Sequence, residues 1–445
     1  MEILNKALWS LAISLIIINS IYFSIKLKFP QVRLISLIKA IRDSKKDEEI
    51  SPKDTLIMSL SSKIGVGSLS GTALCIYYGG VGTILWIFIS TFFLSIISYI
   101  ENVLSILYKE PIKGTSGPQY YIKNKVLSVI YATLILISYI FLFISIQNNT
   151  ITTLTYNIYN IDKIIVSLII TITSSMIIVG GIKQISKICN KIFPIMMTIF
   201  VIIGITVLIK NITSIPSIIN LIIKEAFNKE SLNGGIIYTI IIALQRTIFA
   251  NESGVGTSAI ISGSTKSKDY NLQGKIGIIQ TYFINFIVLG ITSLIIVTSN
   301  IKINSINNGI ELTKEAFFYH FGSFGELLLL IIIVLFSFST IITVYYYGET
   351  SLKYLTNKNI YKQILKIVTI ITIFIGGIIK ATYIWNLIDI FIALLTIINM
   401  YGIYKQKDVI ISKLAKKWYN YLEVRYDYTK MGWNIKRWVQ KRLFL

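Results

Sequence analysis

Long apolar runs separated by short charged segments make up most of the chain. Seven runs without a charged residue are long enough to cross a hydrocarbon core of about 30 Å: 7–23, 83–100, 126–146, 164–182, 192–209, 276–299 and 327–348. An eighth uncharged run, 367–379, is shorter, and we expect its helix to begin earlier. Three further runs of spanning length carry one or two ionisable residues: 55–78, 234–259 and 381–404. The pattern predicts an all-α integral membrane protein with about eleven transmembrane helices.

Composition agrees with a membrane protein and excludes several kinds of chemistry. Apolar types make up 54% of the 445 residues and charged types 14%, whereas soluble domains contain about 25% charged residues. Cys75 and Cys189 lie in apolar runs without spaced partners, so we expect neither a disulfide framework nor a thiolate metal cluster. His320 is the single histidine of the sequence. The sequence shows no nucleophile–base pair, metal cluster or phosphate loop, so we expect neither an enzyme nor a bound cofactor.

The net charge of +22 is distributed as the positive-inside rule requires. If the amino terminus lies outside and the helices alternate, inward segments contain 33 of the 43 Lys and Arg residues and outward segments contain eight. This predicts a multi-pass protein of the plasma membrane with a cytoplasmic carboxyl terminus. The tail 405–445 interleaves Trp418, Trp433 and Trp438 with basic residues. That composition favours an interfacial segment on an anionic inner leaflet over an arm that binds nucleic acid.

Two predicted helices are interrupted near mid-span by glycine and polar residues. The first interruption is KIGVGSLSG at 63–71, and the second is RTIFANESGVGTSA at 246–259. Each interrupted helix is the first of a set of five, so 55–210 and 211–404 are predicted repeats that follow an extra helix and a basic linker at 1–54. Because five is odd, the second repeat is inverted relative to the first. Transporters built this way bind their solute near the bilayer midplane, at the interrupted helices.

An interrupted helix suits the binding of an amino acid together with a cation. Unwinding frees backbone N–H groups at the positive end of a half-helix, where they attract a carboxylate. It also frees carbonyl oxygens that coordinate Na⁺. Gly67 and Gly71 form a GxxxG spacing, which by itself more often serves close helix packing. The second interruption, at the matching position of the other repeat, favours a binding site.

Seven ordered segments carry the most distinctive motifs of the chain. They are KFPQVR (28–33), GVGSLSGTALCIYYGGVGTILWIFI (65–89), GPQYYI (117–122), QNN (147–149), GGIKQISKICNKIFP (180–194), FANESGVGTSAI (249–260) and FSFSTIITVYYYGE (336–349). Together they resemble the alanine/glycine:cation symporter family, also called sodium:alanine symporters. In that family the last two segments are F-S-N-E-[AS]-G-[LV]-G-S-A-P and F-[AS]-F-S-T-I-I-G-W-Y-Y-Y-G-E. The resemblance implies a leucine-transporter-type fold, a 5+5 inverted repeat preceded by one extra helix, that couples small neutral amino acids to Na⁺.

The resemblance also implies which residues form the site. Substrate contacts are expected from Gly65, Val66, Gly67, Ser68, Gln147, Phe249, Asn251, Thr340 and Val344. An all-oxygen Na⁺ site is expected at Ser61, Ile64, Ser339 and Thr340. For the two hydroxyls of Ser339 and Thr340, back-bonding to the preceding helical turn is the alternative. We expect one of Phe249 and Asn251 to line the pocket, and Asn149 is equally well explained as a helix cap.

Three departures from the family pattern bear on the substrate. Val66 and Ser68 stand where the family has Thr and Asn, and Val344 stands where it has Trp. Loss of the indole is expected to enlarge the pocket, so a larger neutral amino acid such as glutamine or serine is an alternative to alanine or glycine. Coupling to H⁺ is a second alternative. A membrane sensor or scaffold that keeps the fold but does not transport is a third, from another functional class.

Ionisable residues inside predicted helices are expected to be paired, because an unpaired charge is costly in a low dielectric. We expect Arg246 and Glu252 to form an ion pair with each other, or with Glu101, Glu349 or Lys63. Asp389 is interpreted as a buried structural acid, with a role as proton acceptor as the alternative. The sequence leaves the oligomeric state open.

Overall fold

The structure, a computed structural model, describes residues 2–33, 50–228, 235–299, 301, 309–380 and 382–414, with the backbone alone for 2, 382, 383 and 386. Every element of these ranges is helical. Most of the predicted tail 405–445 and part of the predicted linker in 1–54 lie outside the described residues. The described chain therefore has the all-α architecture that the apolar runs predict.

Fifteen helices, numbered here along the chain, form most of the described fold, together with a 3₁₀ turn at Pro30–Val32, one helical turn at Pro118–Tyr121 and a helical segment at 407–414. The helices are α1 (Glu2–Lys26), α2 (Pro52–Lys63), α3 (Val66–Gly79), α4 (Thr83–Leu107), α5 (Lys125–Tyr159), α6 (Lys163–Val179), α7 (Gly181–Lys210), α8 (Ile215–Ala226), α9 (Gly235–Asn251), α10 (Thr257–Ser262), α11 (Tyr270–Val297), α12 (Gly309–Phe321), α13 (Ser323–Leu355), α14 (Asn359–Ile378) and α15 (Thr382–Lys405). Helices α5 and α11 each contain a π-helical stretch, at Leu136–Phe143 and Phe283–Leu289.

Eight of the described helices are long and apolar enough to cross a bilayer, and they are α1, α4, α5, α7, α11, α13, α14 and the part of α15 from Leu387. Helices α6 and α9 are apolar but shorter. The predicted runs 55–78 and 234–259 are each two helices, α2 with α3 and α9 with α10. The total of eleven spans and the inverted relation of the two repeats stay predictions.

The first interruption separates α2 from α3 because two residues leave the helical conformation. Helix α2 begins at a capping box of Ser51 and Asp54 and ends at Lys63. Ile64 then has φ −81° and ψ 82°, and Gly65 is extended, with φ −128° and ψ −157°. The peptide groups on either side of Gly65 are therefore not all engaged in helical hydrogen bonds.

The second interruption separates α9 from α10 through three left-handed residues. Glu252 has φ 53°, Gly254 has φ 96° and Gly256 has φ 99°. Glycine adopts this region without a steric penalty, whereas Glu252 is held in it by its surroundings. Tyr131 Oη donates to the carbonyl of Val255 at 2.7 Å, which fixes the loop against α5.

Helix α13 is the element that faces the first interruption. It packs against α2, α5 and α7, and its middle turns are buried from Ser339 to Ser351. Helix α15 packs against α1, and α11 lies along α4 beside the second interruption. The two interruptions and the middle of α13 are therefore enclosed by the surrounding helices.

Candidate functional site

The first interruption presents a backbone N–H to a glutamine of α5. The N–H of Val66 donates to Gln147 Oε1 at 3.0 Å, and both residues are buried. A Cβ atom on Gly65 would lie 2.7 Å from Gln147 Oε1 and 2.8 Å from Thr340 Oγ1. Gly65 therefore lies where the start of α3 meets side chains of both α5 and α13.

Four oxygen atoms converge where α13 passes the end of α2. Thr340 Oγ1 lies 3.2 Å from the carbonyl oxygen of Ser61 and 3.4 Å from that of Ile64. Ser339 Oγ lies 3.2 Å from the same Ser61 oxygen. All four residues are fully buried. This set of two carbonyls and two hydroxyls is the one the resemblance implies, and hard oxygen ligands suit a hard cation.

The same two hydroxyls also lie within hydrogen-bond distance of the preceding turn of their own helix. Ser339 Oγ and Thr340 Oγ1 are each 2.9 Å from the carbonyl oxygen of Phe336. Back-bonding and the oxygen cluster are thus present together. A hydroxyl that donates to Phe336 still offers its lone pairs to a cation.

Phe249 connects the two interruptions. A Cβ atom on Gly67 would lie 2.9 Å from Phe249 Cε1, so the ring of α9 rests on the start of α3. The ring also stacks on Phe143 at a centroid distance of 6.0 Å and lies 5.8 Å from the ring of Trp385. Sequence reasoning missed Phe143 and Trp385, because an aromatic residue within an apolar run has no feature that separates a pocket wall from a lipid-facing position.

The remaining expected site residues have different surroundings. Ser68 Oγ donates to the carbonyl of Lys63 at 3.3 Å and so bridges the first interruption. Asn251 accepts from the N–H of Ser253 at 2.9 Å and donates to Asn285 of α11 at 3.0 Å, which holds the second interruption rather than contacting Gly65. Val344 is fully buried one turn after Thr340. Asn149 donates to the carbonyl of Ile379 at 2.5 Å and therefore caps the end of α14.

The pairing of Arg246 differs from what the sequence analysis expects. Arg246 Nη2 lies 3.0 Å from Asp389 Oδ2 of α15, so its ion-pair partner is Asp389. The expected pairing of Arg246 with Glu252, Glu101 or Glu349 is therefore wrong. Glu252 lies six residues after Arg246, a spacing that does not share a helix face, and its carboxylate accepts from Thr257 instead. Asp389 is 5% exposed, in agreement with a buried structural acid.

Three other buried ionisable residues gather at the second interruption. Lys63 Nζ donates to Ser258 Oγ at 2.5 Å. Glu252 Oε2 accepts from Thr257 Oγ1 at 2.6 Å, and Glu101 Oε1 accepts from the N–H of Gly254 at 3.0 Å. Glu349 lies apart from them and pairs with Lys353 and Lys362.

The arrangement combines the elements needed to hold a small zwitterion and a monovalent cation. The backbone N–H of Val66 donates to Gln147, the ring of Phe249 packs on Gly67, and the oxygen cluster adjoins Gly65. Among the described residues, no group of three or more His, Cys, Asp or Glu side chains is placed to hold a metal ion.

Comparison with known proteins finds a family and several relatives that match nearly the whole chain. A model of the sodium:alanine symporter family matches residues 1–429. The chain is 30% identical over 427 residues to the probable sodium/glutamine symporter GlnT of Bacillus subtilis strain 168, covering 93% of this chain and 89% of that protein. It is 28% identical over 434 residues to the amino-acid carrier protein AlsT of the same organism, covering 95% and 90%. It is 26% identical over 432 residues to the sodium/alanine symporter AgcS of Methanococcus maripaludis, covering 92% and 94%.

A solved structure with a similar fold is a manganese transporter of Eremococcus coleocola. Its crystal structure in complex with an aromatic bis-isothiourea substituted compound superposes with a TM-score of 0.55 at 12% identity. The match covers 79% of this chain and 75% of that one. At this identity the likeness concerns the helical fold alone.

Proposed function

The chain belongs to the sodium:alanine symporter family, and from that premise we propose that it couples the uptake of a small neutral, alanine- or glycine-like amino acid to Na⁺. The family confirms the expectations that the protein is a transporter and not an enzyme, and that it is a multi-pass membrane protein. We further propose that it lies in the plasma membrane with its amino terminus outside and its carboxyl terminus in the cytoplasm. In this proposal 55–210 and 211–404 are the inverted repeats.

The observation that carries the proposal is the meeting of the two interrupted helices at Phe249 and Gly67. In our proposal the substrate carboxylate lies at the N–H groups that begin α3, because a helix start carries partial positive charge. Gln147 accepts from one of these groups, Val66 N–H, and would turn to the substrate when the carboxylate takes that position. The ring of Phe249, backed by Phe143 and Trp385, would cover the side chain of the substrate.

The coupling ion is proposed to bind between α2 and α13. Ser61 and Ile64 contribute carbonyl oxygens from α2 and its end, whereas Ser339 and Thr340 contribute hydroxyls from α13. A cation bound by both elements holds them together, so the conformation in which they touch is favoured when Na⁺ is present. Alternating access follows if the bundle that contains both interrupted helices rocks against α13 once the ion leaves.

A larger neutral amino acid such as glutamine or serine is the second candidate substrate. Val344 is the observation that favours it, because a buried valine stands one turn from Thr340 where the family has tryptophan. The relative GlnT, named a probable sodium/glutamine symporter, supports the same alternative.

Replacing Val344 with tryptophan is expected to narrow the substrate range toward glycine and alanine. The indole fills the space that a longer side chain would occupy, and overpacking costs roughly 1–3 kcal/mol, or about tenfold or more in affinity for the longer substrate. Competition of unlabelled glutamine against labelled alanine uptake measures the change. Equal inhibition by glutamine in the wild type and in Val344→Trp would place residue 344 away from the substrate side chain.

The function is tested by uptake into proteoliposomes. Labelled alanine, serine and glutamine are each supplied with an inward Na⁺ gradient, with a pH gradient alone, and with neither. Accumulation that requires the Na⁺ gradient is the expected result, and the most strongly accumulated amino acid identifies the substrate. Accumulation driven by the pH gradient alone would replace Na⁺ with H⁺. Na⁺-dependent binding without any uptake would instead indicate a sensor or scaffold.

A further inference from the structure

Two buried carboxylates and one buried ammonium group meet at the second interruption. Glu101 of α4, Glu252 after α9 and Lys63 of α2 are at most 3% exposed. Glu252 accepts from Thr257, and Ser258, the next residue along the chain, accepts from Lys63. Glu101 bonds the N–H of Gly254, two residues after Glu252. The three groups therefore form one constellation between the interrupted helices.

The charges of this constellation do not balance. Lys63 is the buried cation of this constellation, whereas Arg246 is already paired with Asp389. Two carboxylates against one ammonium leave an excess of one negative charge in a buried region, which is costly unless a further positive charge arrives. Each carboxylate also has a buried oxygen without a hydrogen-bond partner, Glu101 Oε2 and Glu252 Oε1.

The groups around the two carboxylates favour a proton over a metal cation as that positive charge. Glu252 Oε2 accepts from the hydroxyl of Thr257, and Glu101 Oε1 accepts from the amides of Gly254 and Asn399. A metal cation needs several oxygen ligands, and the N–H groups of Gly254 and Asn399 that face Glu101 offer it none. A proton needs one unoccupied carboxylate oxygen, and each of the two acids has one.

Hydrogen bonds lead from this constellation to Ser62, the residue next to the proposed Na⁺ ligand Ser61. Tyr347 Oη lies 2.7 Å from Ser62 Oγ and 3.5 Å from Glu252 Oε2. Ser62 adjoins Ser61, whose carbonyl oxygen belongs to the oxygen cluster. That cluster contains no carboxylate, so a bound Na⁺ needs its counter-charge from elsewhere, and the excess negative charge of Glu101 and Glu252 is suited to supply it.

We propose that Glu101 and Glu252 form a proton-binding site that exchanges one proton for the coupling Na⁺. The pair holds one proton while the oxygen cluster lacks its ion. When Na⁺ binds, the O–H bond breaks and the proton passes to water, so the buried charge stays balanced. This inference rests on the proposed Na⁺-coupled function and adds H⁺ as a second coupled ion that leaves the constellation as Na⁺ binds.

The other titratable groups that face the pair are tyrosines. Tyr121 faces Glu101, Tyr131 faces both acids, and Tyr139 and Tyr347 face Glu252. Phenols ordinarily ionise near pH 10 and stay neutral across the mildly acidic to mildly alkaline range. In the proposed exchange Lys63 keeps its positive charge, so that the carboxylates alone gain or lose the proton.

The wild-type protein tests the exchange directly. Purified full-length protein in weakly buffered detergent is mixed with NaCl or, to control for ionic strength, with choline chloride, while an indicator dye follows pH. We expect release of about one proton per bound Na⁺ and an apparent Na⁺ affinity that rises by up to about tenfold per pH unit, because each bound ion displaces one proton. Binding of radioactive Na⁺ without proton release, or with an affinity independent of pH, overturns the exchange but leaves Na⁺ coupling intact. Absence of Na⁺ binding at every pH overturns both.

Isosteric variants locate the proton. Glu101→Gln and Glu252→Gln keep an acceptor oxygen for their present donors but remove one negative charge. Each is expected to abolish proton release and to lower Na⁺ affinity to the value that the wild type shows in acid. Glu349→Gln is the matched control, because Glu349 is a buried acid already balanced by Lys353 and Lys362, and its proton release should equal that of the wild type. Undiminished release in both glutamine variants of the pair would place the proton elsewhere and overturn the assignment.

Discussion

Gly65→Ala is expected to lower Na⁺-driven uptake about a hundredfold, because one methyl group would intrude on both proposed binding positions. The added Cβ would lie 2.7 Å from Gln147 Oε1 and 2.8 Å from Thr340 Oγ1, closer than real Cβ atoms approach a neighbour. Gln147 would have to leave Val66 N–H, or Thr340 would have to leave the oxygen cluster. Overpacking of roughly 3 kcal/mol corresponds to about a hundredfold. Initial rates of labelled amino-acid uptake in proteoliposomes provide the measurement.

Gly71→Ala is the matched control for this prediction. Gly71 lies on the same helix α3, but apart from the adjoining backbone of that helix no atom lies within 4 Å of a Cβ added there. Because alanine favours a helix over glycine, this variant should fold and transport at least as well as the wild type. If Gly65→Ala and Gly71→Ala transport equally well while both are stably inserted, Gly65 does not adjoin the transport site.

Thr340→Val is expected to lower the apparent Na⁺ affinity by about tenfold or more. The substitution keeps the shape of the side chain but removes an oxygen that lies 3.2 Å and 3.4 Å from the carbonyl oxygens of Ser61 and Ile64. Loss of one interaction with a charged group costs roughly 1.5–3 kcal/mol. The Na⁺ concentration that gives half-maximal uptake, measured at saturating amino acid, should rise accordingly while the maximal rate changes less.

The control for Thr340 is another buried threonine, one whose hydroxyl donates to a carbonyl of its own helix. Thr369 of α14 donates to the carbonyl of Leu365 at 2.7 Å, which is the back-bonding that serves as the alternative for Thr340. Thr369→Val should leave the Na⁺ dependence unchanged. An equal Na⁺ dependence in Thr340→Val and Thr369→Val would mean that the Thr340 hydroxyl serves its helix and not an ion.

The interruptions are the part of the site that the sequence predicts best. Glycines and short polar residues at 63–71 and 246–259 disfavour a continuous helix in an otherwise apolar run, and the structure breaks both helices inside these segments. The resemblance then adds Ser61, Ile64, Ser339 and Thr340, whose oxygens the fold brings together. Their function as Na⁺ ligands stays a prediction.

The ion-pair partner of Arg246 and the aromatic residues around Phe249 are decided by helix packing, and the residue pattern within a single helix does not predict them. Arg246 pairs with Asp389, which lies 143 positions later in the chain, and only the contact of α9 with α15 makes that choice over nearer acids. Asn251 belongs to a motif expected at the substrate, yet its amide bonds Asn285 of α11. Phe143 and Trp385 become neighbours of Phe249 only after three separate helices assemble.

The sequence by itself determined that this protein is helical and membrane-embedded, where its helices are interrupted, and to which family it is related. These properties depend on residue type and on spacing within one helix, because hydropathy and backbone conformation are local. Only the tertiary structure decided which carbonyls meet which hydroxyls, which acid neutralises Arg246, and that Glu101, Glu252 and Lys63 share one buried constellation. Those contacts join residues far apart in the chain, and their energies depend on burial and distance, which exist only once the helices have packed.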